Sequence, residues 1–291
     1  MMTETDTTMA DTRTGGSTDT LLQTGLLTDE QARLVSEHQA KTGLDFDSAA
    51  VALTLATQDD LSLARQQVQG SLALQLAPGQ AVSDEIVVIS DPSSPRAESL
   101  RLLRTQIIAQ HVGAGRRAFA VAAAVDGSGA TYVAANLAVA LSQVGIKTLL
   151  VDANLRSPRI ENMFGIDPNG PGLSTYLSLQ ANRPERVVYA DVLPNLSVIP
   201  AGPPVARPQE LLSGSRFRTG VDILLRQYDV AIFDTPATNE NADALTVAGL
   251  LGYALVVARR DHGYVKDVQT LSQQLAASRA TVIGAVLNEY D

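Results

Sequence analysis

One loop of the chain has the residue types and spacing of a phosphate-binding site. Residues 124–131 read A-V-D-G-S-G-A-T, and nucleotide loops of the form A/G-x4-G-K-S/T lie between a buried strand and a helix. Gly127 and Gly129 would let backbone N–H groups approach phosphate oxygens, and Thr131 supplies the hydroxyl that binds Mg²⁺ in such loops. Ala130 occupies the position of the phosphate-directed lysine. The sequence therefore predicts a nucleotide-binding fold and leaves its catalytic chemistry open.

Two aspartates come at the ends of apolar runs. Asp152 ends the run Leu149–Val151, and Asp234 ends the run Val230–Phe233. In an open parallel sheet, ligands bind beyond the carboxyl ends of the strands, so both carboxylates and the glycine loop should meet in one crevice. A carboxylate there can hold Mg²⁺ through water or accept a proton from an attacking hydroxyl. One strand-end aspartate alone is more often a helix cap, but the three features together predict a site.

The chain after residue 117 alternates short apolar runs with helical patterns. A helix over Val133–Val144 is predicted directly after the glycine loop. Nearly continuous apolar runs are typical of strands that are buried on both faces. We therefore expect an α/β domain of the P-loop NTPase type, doubly wound around a mostly parallel sheet. The predicted strands are residues 118–125, 147–152, 196–200, 229–234, 253–258 and 281–287.

Composition divides the chain into four parts. Thr28 and Gln31 have the spacing of a capping box and predict a helix start in a small helical module. A Pro- and Gly-containing stretch follows the module, and it includes one strand-like run, Ile86–Ile89. The expected parts are a disordered lead over 1–20, the helical module over 21–76, a linker over 77–95 and the nucleotide domain over 96–291.

Charge and residue usage exclude several classes of protein. The net charge of -9 over 291 residues argues against a nucleic-acid binder held by phosphate contacts. The chain has no cysteine, which excludes disulfides and thiolate metal sites and fits a reducing cytoplasm. No apolar run approaches the ~18 residues of a membrane helix. Residues 1–20 lack the pattern of a signal or transit peptide.

From Ser93 to Asn288 the chain resembles the bacterial tyrosine autokinases of capsule and exopolysaccharide loci. The matching motifs are the Walker A loop at 124–131, D-x-D-x-R at Asp152, Asn154 and Arg156, P-x-E-L-L at 208–212, D-T/S-P at 234–236 and G-x-V-L-N at 284–288. The helical module is similar to the amino-terminal domain of type II secretion ATPases. Together the two parts resemble the chain-length-determinant-associated autokinase of exosortase-type clusters.

The resemblance implies a role for each matching residue, with ATP and Mg²⁺ as cofactors. The backbone of Gly127, Ser128, Gly129, Ala130 and Thr131 would bind the phosphates, with Arg156 available to compensate in part for the missing lysine. Thr131, Asp152 and Asp234 would hold the metal. Asp152 would also be the catalytic base, and Asn288 would touch the adenine.

Assembly and partners also follow from the resemblance. Glu98, Arg101 and Arg104 match the family's E-x-x-R-x-x-R helix, which contacts the neighbouring subunit of a homo-oligomeric ring. Residues three apart share one helix face, so without the resemblance the same stripe would be an ordinary solvated surface. The family implies a membrane chain-length determinant as partner, a cytoplasmic protein held at the inner membrane through it, and no nucleic acid. Tyr290 is the candidate phosphoacceptor.

Three departures from the family pattern bear on activity. Ala130 replaces the loop lysine, Asn154 replaces the second acidic residue, and the tyrosine cluster is reduced to Tyr290. A lysine ~4 Å from a phosphate charge contributes up to ~4 kcal/mol at an effective dielectric of ~20, and losing that in the transition state slows chemistry ~10³-fold.

These departures leave two hypotheses open within the family. One is a weakened tyrosine autokinase that regulates exopolysaccharide synthesis or export. The other is a catalytically inactive pseudokinase scaffold. An NTPase of the partition and septum-placement kind is disfavoured, because those proteins also rely on loop lysines and lack the E-x-x-R-x-x-R helix.

Overall fold

The computed structural model describes residues 27–57, 60–61, 82–239 and 241–289. These residues fall into two compact units, one made of 27–57 with 60–61 and the other of 82–239 with 241–289. The predicted lead over 1–20, the first residues of the predicted linker (77–81) and Tyr290 lie outside the described residues. Within the described ranges, no helix is long and apolar enough to cross a bilayer.

The first unit is helical. Its helices are α1 (Asp29–Thr42) and α2 (Phe46–Ala52). The capping box predicted for α1 is confirmed, since Thr28 N donates to Gln31 Oε1 at 2.9 Å and Gln31 N donates to Thr28 Oγ1 at 3.3 Å. Gly43 ends α1 in the left-handed region at φ 73°, where glycine has no steric penalty. Apolar side chains from both helices form one small core: Val35, Phe46, Ala49 and Ala50.

The second unit contains a seven-stranded sheet in the order β3-β4-β2-β5-β1-β6-β7. Its strands are β1 (Ala118–Ala123), β2 (Thr148–Asp152), β3 (Tyr189–Leu193), β4 (Leu196–Ile199), β5 (Val230–Asp234), β6 (Tyr253–Arg259) and β7 (Thr281–Asn288). All neighbours pair in parallel except β3 and β4. The predicted, mostly parallel sheet is therefore confirmed.

Helices cover both faces of this sheet, which explains its continuous apolar strands. They are α3 (Val87–Ser90), α4 (Pro95–Gln110), α5 (Ala130–Ser142), α6 (Ile160–Met163), α7 (Leu173–Leu177), α8 (Pro208–Ser213), α9 (Ser215–Leu224), α10 (Asp243–Leu251) and α11 (Val265–Ala277). On one face, Leu137 of α5 packs in a core with Phe119. On the other, Phe217 of α9 contacts Phe233 edge to face, with ring centroids 6.0 Å apart.

The expectation of a strand at Ile86–Ile89 is wrong, because Val87–Ser90 forms a single helical turn. The β-branched residues favour a strand in isolation. Here Ile86 and Val88 are instead buried in the core that the neighbouring helices form on one face of the sheet. Ser83 N donates to Met163 O at 2.9 Å. Residues 82–95, which composition assigns to the linker, therefore pack on the sheet domain.

Asn136 of α5 holds this segment in place. Its side chain is fully buried, and Nδ2 donates to the carbonyl oxygens of Glu85 at 2.9 Å and Tyr132 at 3.0 Å. Its Oδ1 accepts from Val88 N at 3.4 Å. A buried amide with this many partners is well satisfied, and two of its hydrogen bonds hold residues 82–90 on the nucleotide domain.

We predict that Asn136→Ala lowers the free energy of unfolding by about 2 to 4 kcal/mol, because it leaves buried backbone groups of the 82–90 segment without partners. Chemical unfolding followed by far-UV circular dichroism measures this change. Asn162→Ala, at an exposed position of α6, is the matched control and should shift stability by less than about 0.5 kcal/mol. Equal effects of the two substitutions would contradict the anchoring role of Asn136.

Candidate active site

The glycine loop connects β1 to α5 in a conformation that requires glycine. Gly127 and Gly129 have φ values of 74° and 88°, in the left-handed region that side chains rarely adopt. A Cβ atom on Gly129 would overlap the Asn288 side-chain amide, and one on Gly127 would lie 3.2 Å from His262 Nε2. Ala130 is the first residue of α5, so the helix opens directly onto the loop, as in anion-binding helix N-termini.

Side chains from the ends of β6 and β7 hold the loop. Asn288 Nδ2 donates to Ser128 O at 3.1 Å. His262 Nε2 lies 2.7 Å from Asp126 O, and because a carbonyl only accepts, this ring nitrogen carries the hydrogen. Arg259 Nη1 donates to the carbonyl oxygen of Gly127, the next residue of the loop, at 3.3 Å. The conformation of the loop is thus set by side chains at and after the ends of β6 and β7 as well as by its own glycines.

The two predicted carboxylates lie side by side. Asp152 and Asp234 are register partners on β2 and β5, and both are fully buried. Asp234 Oδ2 accepts from Thr131 Oγ1 at 2.7 Å, which brings the loop threonine onto the carboxylate pair. Among the described residues, Asp234 Oδ1 has no hydrogen-bond partner.

Backbone N–H groups after β2 surround the carboxyl group of Asp152. Asp152 Oδ1 accepts from Asn154 N at 2.9 Å, and Oδ2 accepts from Arg159 N at 3.3 Å and Ile160 N at 3.2 Å. The Asn154 side chain closes the same turn with Ser157, donating to its carbonyl at 3.0 Å and accepting from its N–H at 3.1 Å. Asp152 therefore organises the backbone that forms one wall of the site.

Burial is the largest influence on the pKa values of the two carboxyl groups. It raises the pKa of Asp152 well above its usual value, and the neighbouring Asp234 charge raises it further. Burial also raises the pKa of Asp234 to about 7, although the Thr131 hydrogen bond opposes that shift. Two adjacent buried carboxyl groups are costly to ionise together, so the ligand-free pair retains a proton. A hard divalent cation fits this site, because it would satisfy the orphaned Asp234 oxygen and favour ionised carboxylates.

These groups meet at a cleft of about 570 Å³. Its lining includes Glu85, Asp126, Gly127, Ser128, Gly129, Ala130, Thr131, Asn154, Arg159, Arg259 and Asn288. The predicted loop residues and Asn288 thus lie together at the carboxyl ends of the strands. The carboxyl groups of Asp152 and Asp234 lie beneath the lining, in contact with it through Thr131 and the backbone after β2.

Arg156 lies elsewhere. Its Nε and Nη2 donate to the two carboxylate oxygens of Asp243 at 2.7 and 3.3 Å. Asp243 is fully buried, and this contact raises the pKa of Arg156. Arg156 does not line the cleft, so the structure does not bring it to the loop.

The predicted interface residues lie on α4, away from the cleft lining. Arg101 Nη1 donates to Glu98 Oε2 at 2.8 Å, and its other terminal nitrogen donates to Pro92 O. Arg104 is half-buried and donates to Ala140 O at 3.4 Å; burial lowers its pKa. The stripe is therefore partly packed against the domain that carries it.

Sequence reasoning missed Arg159, Arg259 and Glu85 as cleft residues. Arg159 follows β2, and Arg259 ends β6. The rule that identified the aspartates, that functional groups gather beyond the carboxyl ends of parallel strands, also applies to these two arginines. Glu85 had no such signal, because it comes from the segment that composition assigned to a linker.

The fold is that of the P-loop NTPases. MinD from Pyrococcus horikoshii, solved with Mg-ADP, superposes with a TM-score of 0.53 at 24% identity over 60% of this chain and 70% of its own. At this identity the likeness concerns the fold alone. No family model matches the chain.

Closer relatives define the family. Tyrosine-protein kinase YwqD from Bacillus subtilis is 30% identical over 217 residues, which is 75% of this chain and 91% of YwqD. The kinase domain of Escherichia coli Etk matches with a TM-score of 0.66 at 30% identity, over 70% of this chain and 79% of that domain. The chimerical protein CapA2B2 matches with a TM-score of 0.65 at 28% identity, over 77% of this chain and 97% of the chimera. The chain therefore belongs to the bacterial tyrosine-protein kinases of capsule and exopolysaccharide loci, and the predicted family is confirmed.

The raised pKa of Asp234 predicts a pH-dependent stability of the ligand-free protein. Between the unfolded value of 3.8 and the folded value of about 7, the folded state binds more protons than the unfolded chain, so stability falls as the pH rises. Relative to Asp234→Asn, the wild-type protein should lose up to about 4 kcal/mol across this window. Urea unfolding at a series of pH values, with a metal chelator present, measures the difference. Parallel pH profiles for the two proteins would contradict the prediction.

Proposed function

We propose that the cleft binds ATP with Mg²⁺ and that the protein is a weak protein-tyrosine autokinase acting in exopolysaccharide biosynthesis or export. The observation that carries this proposal is the convergence of three features in one cleft: the glycine loop, the start of α5, and the buried Asp152–Asp234 pair. Family membership supports tyrosine as the acceptor type, and Tyr290 is the proposed phosphoacceptor.

The chain's own groups divide the work of binding. Backbone N–H groups of residues 127–131 would bind the phosphates, and the start of α5 would favour their negative charge. Thr131 and Asp234 would hold the metal, which when bound would neutralise phosphate charge. Asn288 holds the loop through Ser128, and a contact between Asn288 and the adenine base is proposed. Arg156 is held by Asp243, so its proposed share in phosphate binding has the weakest support.

Asp152 is the proposed catalytic base. Its carboxyl group lies at the carboxyl end of β2, next to Asp234, which is the proposed metal ligand. A base must be ionised to accept the proton of a tyrosine hydroxyl. Because burial raises the pKa of Asp152, we expect full activity only when metal and nucleotide have lowered it. This requirement adds to the cost imposed by Ala130.

The second candidate is a pseudokinase scaffold. Ala130 removes the cation that follows charge developing in the transition state, while the backbone that binds phosphates does not depend on that side chain. Nucleotide binding can therefore persist when phosphoryl transfer is lost. Asn154, which is neutral and occupied with its own turn, also favours this candidate over an efficient kinase.

The proposed partner is a membrane chain-length determinant, which would hold the protein at the cytoplasmic face of the inner membrane. The capsule and exopolysaccharide setting of the relatives supports this pairing, and the chimerical relative CapA2B2 supports association with a CapA-like protein. Oligomerisation through the α4 stripe is proposed on the E-x-x-R-x-x-R match.

We predict that the purified protein binds ATP only with Mg²⁺ present and autophosphorylates slowly. Ala130→Lys should raise the phosphorylation rate by up to ~10³-fold, because it restores up to ~4 kcal/mol of transition-state stabilisation. Calorimetry with and without Mg²⁺ measures binding, and phosphotyrosine detection measures transfer. Asp152→Ala in the Ala130→Lys background is the control and should abolish the gain.

Two results would decide between the candidates. Autophosphorylation that appears only in Ala130→Lys supports the pseudokinase. Slow phosphorylation by the wild-type chain, lost on Asp152→Ala, supports the weak kinase. A chain that binds no nucleotide with Mg²⁺ refutes both as stated.

We predict that the protein forms a concentration-dependent oligomer that Arg101→Glu with Arg104→Glu disperses, since charge reversal places like charges beside Glu98 and its neighbours. Sedimentation velocity across a range of concentrations measures the assembly. Because Arg104 also donates to Ala140, a thermal melt must show that the variant stays folded. Arg207→Glu, at an exposed site, is the control. A strict monomer in the presence of the membrane partner would leave the stripe as a solvated surface.

A further inference from the structure

The lining of the cleft includes positively charged side chains that do not belong to the glycine loop. Among the described residues that line it, the cations are Arg159 and Arg259. Arg259 donates to the loop carbonyl of Gly127 at 3.3 Å and so contributes to the shape of the loop. Arg159 lies on the opposite wall, after β2, and its guanidinium makes no such contact with the loop.

Arg159 is fixed at its backbone and exposed at its charge. Its N–H donates to Asp152 Oδ2 at 3.3 Å, which places the residue at the mouth of the cleft. Its side chain is 58% exposed, so the guanidinium can turn without leaving a buried environment. Asp152 is the register partner of Asp234, so the backbone contact with Asp152 places Arg159 beside the carboxyl pair, where the phosphates and metal are expected.

Glu85 is the partner of Arg159 in the ligand-free structure. Arg159 Nη2 lies 3.0 Å from each carboxylate oxygen of Glu85, which also lines the cleft. The backbone of Glu85 is held as well, because Asn136 Nδ2 donates to its carbonyl oxygen at 2.9 Å. Both side chains therefore stay at the mouth of the cleft, and the exposed Arg159 guanidinium can exchange the Glu85 carboxylate for another anion there.

Resting on the proposed binding of a nucleotide, we propose that Arg159 is the phosphate-binding cation that replaces the missing loop lysine, and that Glu85 competes with the phosphates for it. A guanidinium forms two parallel hydrogen bonds to phosphate as readily as to carboxylate. Nucleotide binding would exchange the Glu85 carboxylate for a phosphate, which also offers a pair of oxygens to the guanidinium and carries a higher charge. Glu85 thereby keeps the Arg159 guanidinium at the cleft when no nucleotide is bound, and it lowers the affinity for nucleotide.

The contrast with Arg156 shows why Arg159 takes this role. Removing Arg156 from Asp243 would leave a fully buried carboxylate without its counter-charge, which is strongly unfavourable. The Arg159–Glu85 pair is exposed at both ends, with 58% and 40% of the side chains accessible, and exposed pairs contribute little to stability. Arg159 can therefore leave its partner at small cost, whereas Arg156 cannot.

Nucleotide affinity of the full chain tests the proposal. Calorimetric titration with ATP and with ADP, in the presence of Mg²⁺, is compared for the wild type and four variants. Arg159→Gln should bind roughly 10- to 100-fold more weakly, the range expected for a lost charge-assisted hydrogen bond. Arg159→Lys should fall between Arg159→Gln and the wild type, because lysine keeps the charge but cannot form the two parallel hydrogen bonds. Glu85→Gln should bind a few-fold more tightly, since it removes the competing carboxylate. Arg207→Gln, which breaks an exposed Arg–Glu pair outside the cleft lining, should bind like the wild type.

The outcomes separate this inference from the proposed function. If Arg159→Gln binds nucleotide as tightly as the wild type does, the inference is wrong and the proposed function is unaffected. Weaker binding by Glu85→Gln overturns the competition. A wild-type chain that binds neither nucleotide overturns the proposed function and the inference with it. Adenosine provides a further readout: its affinity should be the same in wild type and Arg159→Gln, because it has no phosphate, whereas a general loss of structure would weaken it as well.

Discussion

Two carboxyl groups buried side by side are the constraint on which the rest of this domain depends. The parallel register of β2 and β5 brings Asp152 and Asp234 together in a place without access to water. Such a pair is stable only when protonated, hydrogen-bonded or bound to a cation. The surrounding structure provides the hydrogen bonds: the Thr131 hydroxyl from the loop and three backbone N–H groups after β2. The same two residues therefore connect the glycine loop, the backbone after β2 that forms one wall of the cleft, and the central strands.

This arrangement separates binding from catalysis. The proposed phosphate-binding surface consists of backbone groups whose directions are set by glycine conformations and by the start of α5, and none of these depends on the side chain at position 130. The proposed cation does depend on a side chain, and it is one from outside the loop. On this proposal, an alanine at position 130 leaves the shape of the loop unchanged and affects mainly the rate of phosphoryl transfer.

Much of the fold could be predicted from the sequence, because central strands buried on both faces leave a strong signal of continuous apolar runs. β3 was missed because it lies at the edge of the sheet, where Ala190 and Asp191 are exposed and break that signal. The Ile86–Ile89 run was misassigned because its apolar residues pack on helices, which local propensity does not reveal. The strand-end rule identified Asp152 and Asp234. The positions of Arg156 and Arg159 could not be predicted in the same way, because they depend on partners 87 and 74 residues distant in sequence.

The hydrogen bond from Asn288 to Ser128 connects the loop to the last residue of β7, a strand at the edge of the sheet. An edge strand has one neighbour and an open row of backbone groups on its other side. Displacement of this strand, by tension on the chain beyond it or by another segment added along its open side, would withdraw the amide from the loop. How rigidly the loop is held therefore depends in part on how firmly β7 is paired at the border of the sheet.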